Sequence, residues 1–95
     1  MLIRSQDKTA LVKFENIVIN LYYPDGKEVI CWSLHDTQRD GGYFSLGNYS
    51  SKATAMKVLD MIQDAYCKFM SVKNDDVWDG KESTFCMPED SEVEV

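Results

Sequence analysis

The stretch IVINLYYPDGKEVICWSL, residues 17–34, decides the fold of this chain. Its β-branched and aromatic residues alternate on both sides of the turn sequence Tyr23-Pro24-Asp25-Gly26. In that turn Pro presets φ at the first central position, and Gly accepts a positive φ where the strand resumes. The pattern predicts an antiparallel hairpin. We expect the face that packs on the core to carry Ile17, Ile19, Leu21, Tyr23, Ile30, Trp32 and Leu34.

Short strands are also predicted on both sides of this hairpin. Residues 2–4, 10–14, 43–49 and 83–87 are apolar or alternate with a period of two, and polar or glycine-rich segments separate several of them. Gly47 marks a bulge or a close approach of the backbone within its strand. The predicted sheet is an antiparallel meander of four to six strands, either open or curled as a partial barrel.

A single long helix is predicted over residues 52–71. The hydroxyls of Ser50 and Ser51 can cap its free amides, and one apolar stripe follows with spacings of three and four residues. The stripe consists of Ala55, Leu59, Ile62, Tyr66 and Phe69. Neither the helix nor the sheet can leave its apolar side in water, so the expected fold is α+β, with the meander packed against one amphipathic helix.

Charge divides the chain into two parts. The formal net charge is −6 over 95 residues. Residues 1–74 hold nine Lys or Arg against eight Asp or Glu, whereas residues 75–95 hold one against eight, balances of +1 and −7. We therefore predict one domain over residues 1–88 and a disordered acidic tail over residues 89–95. Direct binding of nucleic acid is not expected, because no cluster of Lys and Arg is present.

Catalytic and metal-binding motifs are missing from the sequence. The only histidine is His35, and the three cysteines are Cys31, Cys67 and Cys86, with no C-x-x-C pair. Cys31 and His35 would lie roughly 13 Å apart on a straight strand, too far for a nucleophile and its base. We expect no metal, no cofactor and no enzymatic activity. We also expect a cytoplasmic protein that does not enter membranes, because no apolar run approaches about 20 residues.

The second face of the sheet is the candidate interaction surface. If the first face packs on the helix, the second face presents tyrosines beside apolar residues, a composition typical of interfaces. The alternative is a curled sheet in which some of these residues belong to the core. A polar run between Arg4 and Lys8 is either part of the surface or a turn whose side chains bond the backbone. The candidate residues are Arg4, Gln6, Asp7, Val18, Tyr22, Cys31, Tyr43 and Tyr49.

Three stretches carry a resemblance to a known family. They are Ile3 to Lys8, Leu46 to Tyr49 running into Ser51-Lys52-Ala53 and Val58 to Ile62, and Cys86-Met87-Pro88-Glu89. In order and approximate spacing the chain resembles a family of small uncharacterised proteins from Gram-positive bacteria and their phages or mobile elements. The resemblance implies a compact bacterial or prophage protein, and it implies no activity.

The leading functional hypothesis is a non-enzymatic accessory protein that acts by protein contact, with a second copy of the chain as the expected partner. One alternative is that the acidic C-terminal segment inhibits a basic, nucleic-acid-binding host protein. Another is a small enzyme or ligand-binding protein, which needs a pocket that gathers Cys31, His35 or the run from Arg4 to Lys8.

Overall fold

Strands and one long helix make up the part of the chain that the computed structural model describes, residues 1–23, 25–33, 43–72 and 84–93. In chain order they are β1 (Leu2–Arg4), β2 (Leu11–Lys13), β3 (Ile17–Leu21), β4 (Glu28–Ser33), β5 (Tyr43–Asn48), α1 (Lys52–Val72) and β6 (Thr84–Cys86). Short 3-10 turns cover Phe14–Asn16 and Asp90–Glu92. The predicted α+β class, with short strands and one long helix, is confirmed.

The strands form two sheets, ordered β2-β1-β6 and β3-β4-β5. Every pairing is antiparallel except that of β6, which runs parallel to β1 and places Ile3 beside Phe85. A parallel pair needs a long connection, and here the connection from β1 to β6 contains β2 to β5 and α1. The described strands do not close into a barrel.

The hairpin of β3 and β4 has a register one residue away from the one its turn sequence predicts. A turn centred on Pro24 and Asp25 would place Ile19 opposite Ile30. Instead Ile19 lies opposite Cys31. The Tyr22 N–H donates to the Glu28 carbonyl, and the Gly26 N–H donates back to the Tyr22 carbonyl, with Gly26 at φ +71°.

The loop is thus one residue longer than a two-residue turn, and a shift of one residue moves the whole of β4 to the other face. Val29 and Cys31, both buried, share the core face with Leu21 and Ile19. The predicted place of Trp32 on the core face is wrong, because Trp32 lies opposite Val18 on the other face and is 37% exposed.

Helix α1 begins and packs as its sequence predicts. Ser51 is the capping residue, because its Oγ accepts the Thr54 N–H at 3.2 Å. Ala55, Val58, Ile62 and Phe69 are buried in one core together with residues from the strands. Those residues include Ile3, Val29, Leu46, Tyr49 and Met87. Leu59 and Tyr66 of the predicted stripe are half-buried, and the Tyr66 ring lies 4.4 Å from that of Phe14.

Gln6 joins the two sheets through its backbone and its side chain, and we call these contacts the Gln6 junction. The Gln6 N–H donates to the Leu46 carbonyl at 2.8 Å. Its side-chain amide accepts from the Asn48 N–H at 2.9 Å and donates to the Asn48 carbonyl at 3.1 Å, as a neighbouring strand would. Nε2 also donates to the Pro88 carbonyl at 3.2 Å.

Gly47 makes the Gln6 junction possible. A β-carbon on Gly47 would lie 3.1 Å from Tyr49 Oη and 3.2 Å from Gln6 Cβ, tighter than ordinary contact. The register of β4 and β5 also shifts beside Gly47, between Val29 and Ile30. The close approach predicted at Gly47 is present, and the shift in register leaves the neighbouring Leu46 without a partner in β4.

The acidic end of the described chain has a defined conformation. Glu89 and Glu92 form a capping box, and Asp90 Oδ1 accepts the Ser50 N–H at 2.8 Å. The disorder predicted for residues 89–95 stays a prediction; in the structure the carboxylates of Glu89, Asp90 and Glu92 accept backbone N–H groups. Residues 34–42, which include His35, residues 73–83 and residues 94–95 lie outside the described part of the chain, and the predicted domain bounds stay a prediction.

Candidate protein-interaction site

Three strand residues and Tyr22, which directly follows β3, form an aromatic patch on the face of the β3-β4-β5 sheet that lies away from the helix. The patch consists of Val18, Tyr22, Trp32 and Tyr43. Cross-strand pairing places Val18 opposite Trp32 and Trp32 opposite Tyr43, and paired residues share a face. Val18 is 46% exposed, Trp32 37% and Tyr43 42%. Large apolar side chains are therefore in water side by side.

The patch is a shallow groove with a fixed floor. The ring centroids of Tyr22 and Tyr43 are 5.3 Å apart, and those of Trp32 and Tyr43 are 5.8 Å apart. Both distances fall within the range of favourable tilted aromatic pairs, which holds the rings in place. Ile30, only 3% exposed, lies in the groove beside Asn20. The groove has a volume of about 310 Å³.

The electrostatics of the aromatic patch suit a neutral partner surface. A hydrogen bond with Tyr22 raises the pKa of Tyr43, and Glu28 adds to the shift. The shift favours the neutral form of the Tyr43 hydroxyl. The residues lining the groove include no Lys or Arg, so it offers no cation to a phosphate group.

Two residues predicted for this surface belong to the core instead. Cys31 is 3% exposed, and its burial raises the pKa of the thiol. Tyr49 is 5% exposed and donates its hydroxyl to the Pro88 carbonyl at 2.9 Å. Burial likewise raises the pKa of Tyr49. Cys31 was misplaced by the register of β4, and Tyr49 lies beyond the end of β5, where strict alternation no longer applies.

Arg4 and Asp7 are parts of a tight turn. Arg4 donates from Nε and Nη2 to the Lys8 carbonyl, both at 3.1 Å. Asp7 Oδ1 accepts from Ser5 Oγ at 2.7 Å and from the backbone and side chain of Thr9. These bonds lower the pKa of Asp7 to about 2. These contacts are those of a turn whose side chains bond one another and the backbone. Gln6, between Arg4 and Asp7 in the sequence, contacts Leu46 and Asn48 instead.

Trp32 and Ile30 are the members of the site that the sequence interpretation assigned to the core. The number of residues in the hairpin loop decides their placement, because one extra residue exchanges the two faces of β4. Val18, Tyr22 and Tyr43 lie together as predicted. The structure thus brings together three of the eight candidate residues and adds Trp32.

Other chemistry is sparse in the described residues. They contain no group of three or more His, Cys, Asp or Glu side chains placed to hold a metal ion. Cys67 and Cys86 are exposed free thiols, and Cys31 is a buried one. The pairing considered for Cys31 and His35 involves a residue, His35, that lies outside the described part of the chain.

Fold and site together define a small α+β protein with an exposed aromatic sheet face. No family model, curated protein or solved structure matches the chain. In the part of the chain that the structure describes, no helix has both the length and the apolar character needed to cross a bilayer.

Proposed function

We propose that this chain is a non-enzymatic accessory protein of the cytoplasm that acts by protein contact, and that the aromatic patch is its contact surface. The observation that carries the proposal is the joint exposure of Val18, Trp32 and Tyr43, each between 37 and 46%, on one sheet face. Tyrosine and tryptophan dominate the energetics of interfaces because they bury large areas and still offer a polar atom.

The geometry of the patch supports a protein partner over a charged ligand. Its rings are already fixed by ring-to-ring contacts, so binding would lose little side-chain entropy. Asn20 and the tyrosine hydroxyls supply the few polar groups that orient a partner. The resemblance of three stretches to small proteins of Gram-positive bacteria and phages supports a bacterial or prophage setting for this role.

The enzyme alternative receives less support from the described residues. A nucleophilic thiolate needs exposure and a lowered pKa, whereas Cys31 is buried and the pKa of its thiol is raised. The inhibitor alternative depends on free carboxylates, and those of Asp90 and Glu92 already accept backbone N–H groups.

The proposal is tested with two charge substitutions at neighbouring positions. Tyr43 and Phe44 are 42% and 43% exposed, but their side chains lie on opposite faces of β5. We expect Tyr43→Lys to abolish the capture of a specific protein by the tagged chain from extracts of its native host. Phe44→Lys is the matched control and should leave the capture unchanged.

The same pair of variants tests a second copy of the chain as the partner. If two copies meet through the aromatic patch, light scattering at micromolar concentration will show a dimer for the native chain and for Phe44→Lys, and a monomer for Tyr43→Lys. Equal capture and equal mass for the two variants would remove the patch as a contact surface.

A further inference from the structure

The outer edge of β3 presents unpaired backbone groups. The hydrogen bond between Tyr22 and Glu28 shows which residues of β3 carry them. Among the described strands β3 pairs only with β4. The Tyr22 N–H donates to the Glu28 carbonyl, so the even-numbered residues of β3 direct their backbone groups toward β4. Ile17, Ile19 and Leu21 then direct theirs outward. The Ile17 N–H already donates to the Phe14 carbonyl, which leaves the N–H groups of Ile19 and Leu21 as the outward donors.

We propose that two copies of this chain pair through the β3 edges, antiparallel and about a two-fold axis at Ile19. In this register the Ile19 N–H donates to the Ile19 carbonyl of the second copy. The Leu21 N–H donates to the Ile17 carbonyl of the second copy, and the axis repeats both bonds. Every outward donor finds an acceptor, and the Ile17 N–H, which is already used, is not needed. The edge is complementary to itself.

The side chains agree with this pairing. β3 reads Ile-Val-Ile-Asn-Leu and contains no charge, so no like charges meet within the paired strands. Ile17, Ile19 and Leu21 lie on the core face but are only half-buried. Ile17 and Ile19 also line a groove of about 440 Å³ whose other wall is α1, with Ile62 and Tyr66. Pairing would place Ile17 opposite Leu21 of the second copy and cover this apolar face.

The other described edges are protected in the ways that monomeric edges usually are. β2 and β6 have only three residues each, and β2 carries the exposed Lys13. On β5, the Gln6 junction occupies backbone groups of Leu46 and Asn48. Within the described chain β3 is an uncharged edge whose Ile19 and Leu21 N–H groups have no described acceptor. Residues 1–74, which include β3, are nearly neutral, with nine basic against eight acidic residues, and the net charge of −6 arises from residues 75–95.

This inference goes beyond the proposed function, because it concerns the edge of the sheet and not its aromatic face. Pairing of the β3 edges would join two sheets into one continuous sheet. The aromatic patches of both copies would then lie on a common face, related by the two-fold axis, and a partner could contact both.

Two double variants test the register. Val18 and Asn20 are exposed, and the register places Val18 opposite Asn20 of the second copy. V18K/N20K therefore sets like charges opposite each other twice, and V18K/N20E sets unlike charges opposite each other twice. By light scattering and sedimentation we expect a dissociation constant at least about tenfold higher for V18K/N20K than for V18K/N20E. Circular dichroism verifies that both variants fold.

A native-chain measurement accompanies the variants. Hydrogen exchange of the Ile19 and Leu21 amides should slow as the concentration of the native chain rises, because pairing protects those two donors. A monomeric native chain, equal dissociation constants for the two double variants, or exchange at Ile19 that does not depend on concentration would overturn the inference. Tyr43→Lys keeps the edge dimer if the edge is the interface, so failure of the aromatic patch as a contact surface is a separate outcome.

Discussion

The two outer edges of the β3-β4-β5 sheet differ in how their backbone groups are satisfied. The β5 edge is closed by Gln6, whose backbone bonds the Leu46 carbonyl and whose side-chain amide bonds both backbone groups of Asn48. The β3 edge meets no other described strand. The closed edge therefore contributes to the stability of one copy, whereas the open edge is available for contact between copies. Substitutions at the first edge should change unfolding, and substitutions at the second should change association.

The largest effect is expected from Leu46→Ala at the closed edge. Leu46 is 1% exposed, and its truncation leaves a cavity in the shared core. The free energy of unfolding should fall by about 2 to 5 kcal/mol, measured by urea denaturation. Val18→Ala at the open edge is the control and should change it by less than about 0.5 kcal/mol. Similar losses for both variants would contradict the division between the edges.

A smaller loss is expected from Gln6→Glu, which keeps the size of the side chain but removes its N–H donors. A carboxylate oxygen would then face the carbonyls of Asn48 and Pro88. We expect a loss of about 1 to 3 kcal/mol by the same measurement. Asn20→Asp makes the same chemical change at the open edge, where it should cost less than about 0.5 kcal/mol. A stability unchanged by Gln6→Glu would show that Gln6 does not close the β5 edge.

The smallest effect concerns the turn that leads into the closed edge. The hydrogen bonds from Ser5 and Thr9 lower the pKa of Asp7 from 3.8 to about 2. Because the folded pKa lies below the unfolded one, the stabilisation is present above about pH 4 and is lost as the pH falls toward about 2. Asp7→Asn should flatten the decline of the urea midpoint across that window. Parallel declines for both proteins would show that Asp7 does not contribute to acid sensitivity.

Periodicity predicted the elements of this fold better than their contacts. The spacing from Ala55 to Phe69 predicted α1, and alternation predicted β3 and β4, because both patterns follow from local backbone geometry. The predicted core face of β4 was wrong because it depends on the length of the hairpin loop. The hydrogen bonds around Gly26 set that length, and the alternation of residues in the strands does not reveal them. The parallel pairing of β6 with β1 depends on tertiary packing, and local sequence cannot report it.

The candidate site was predictable in part for the same reason. Val18, Tyr22 and Tyr43 were placed correctly, since each depends only on alternation within its own strand. Trp32 and Cys31 were exchanged between the faces by a single residue in the hairpin loop. The role of Gln6 at the sheet junction had no sequence signal, because a side-chain amide that imitates a strand is recognised only when its partner, Asn48, is beside it.

The parallel pairing of β1 with β6 has a consequence for the order of folding. Contacts here span most of the chain, and Gln6 bonds Pro88 across 82 positions. During synthesis β1 can pair with β2 early, but its other side stays empty until β6 has emerged. Such distant contacts are slow to form, because closing a large loop lowers the conformational entropy of the chain before the contacts can stabilise it. We infer that the first sheet is completed last, after the hairpin of β3 and β4.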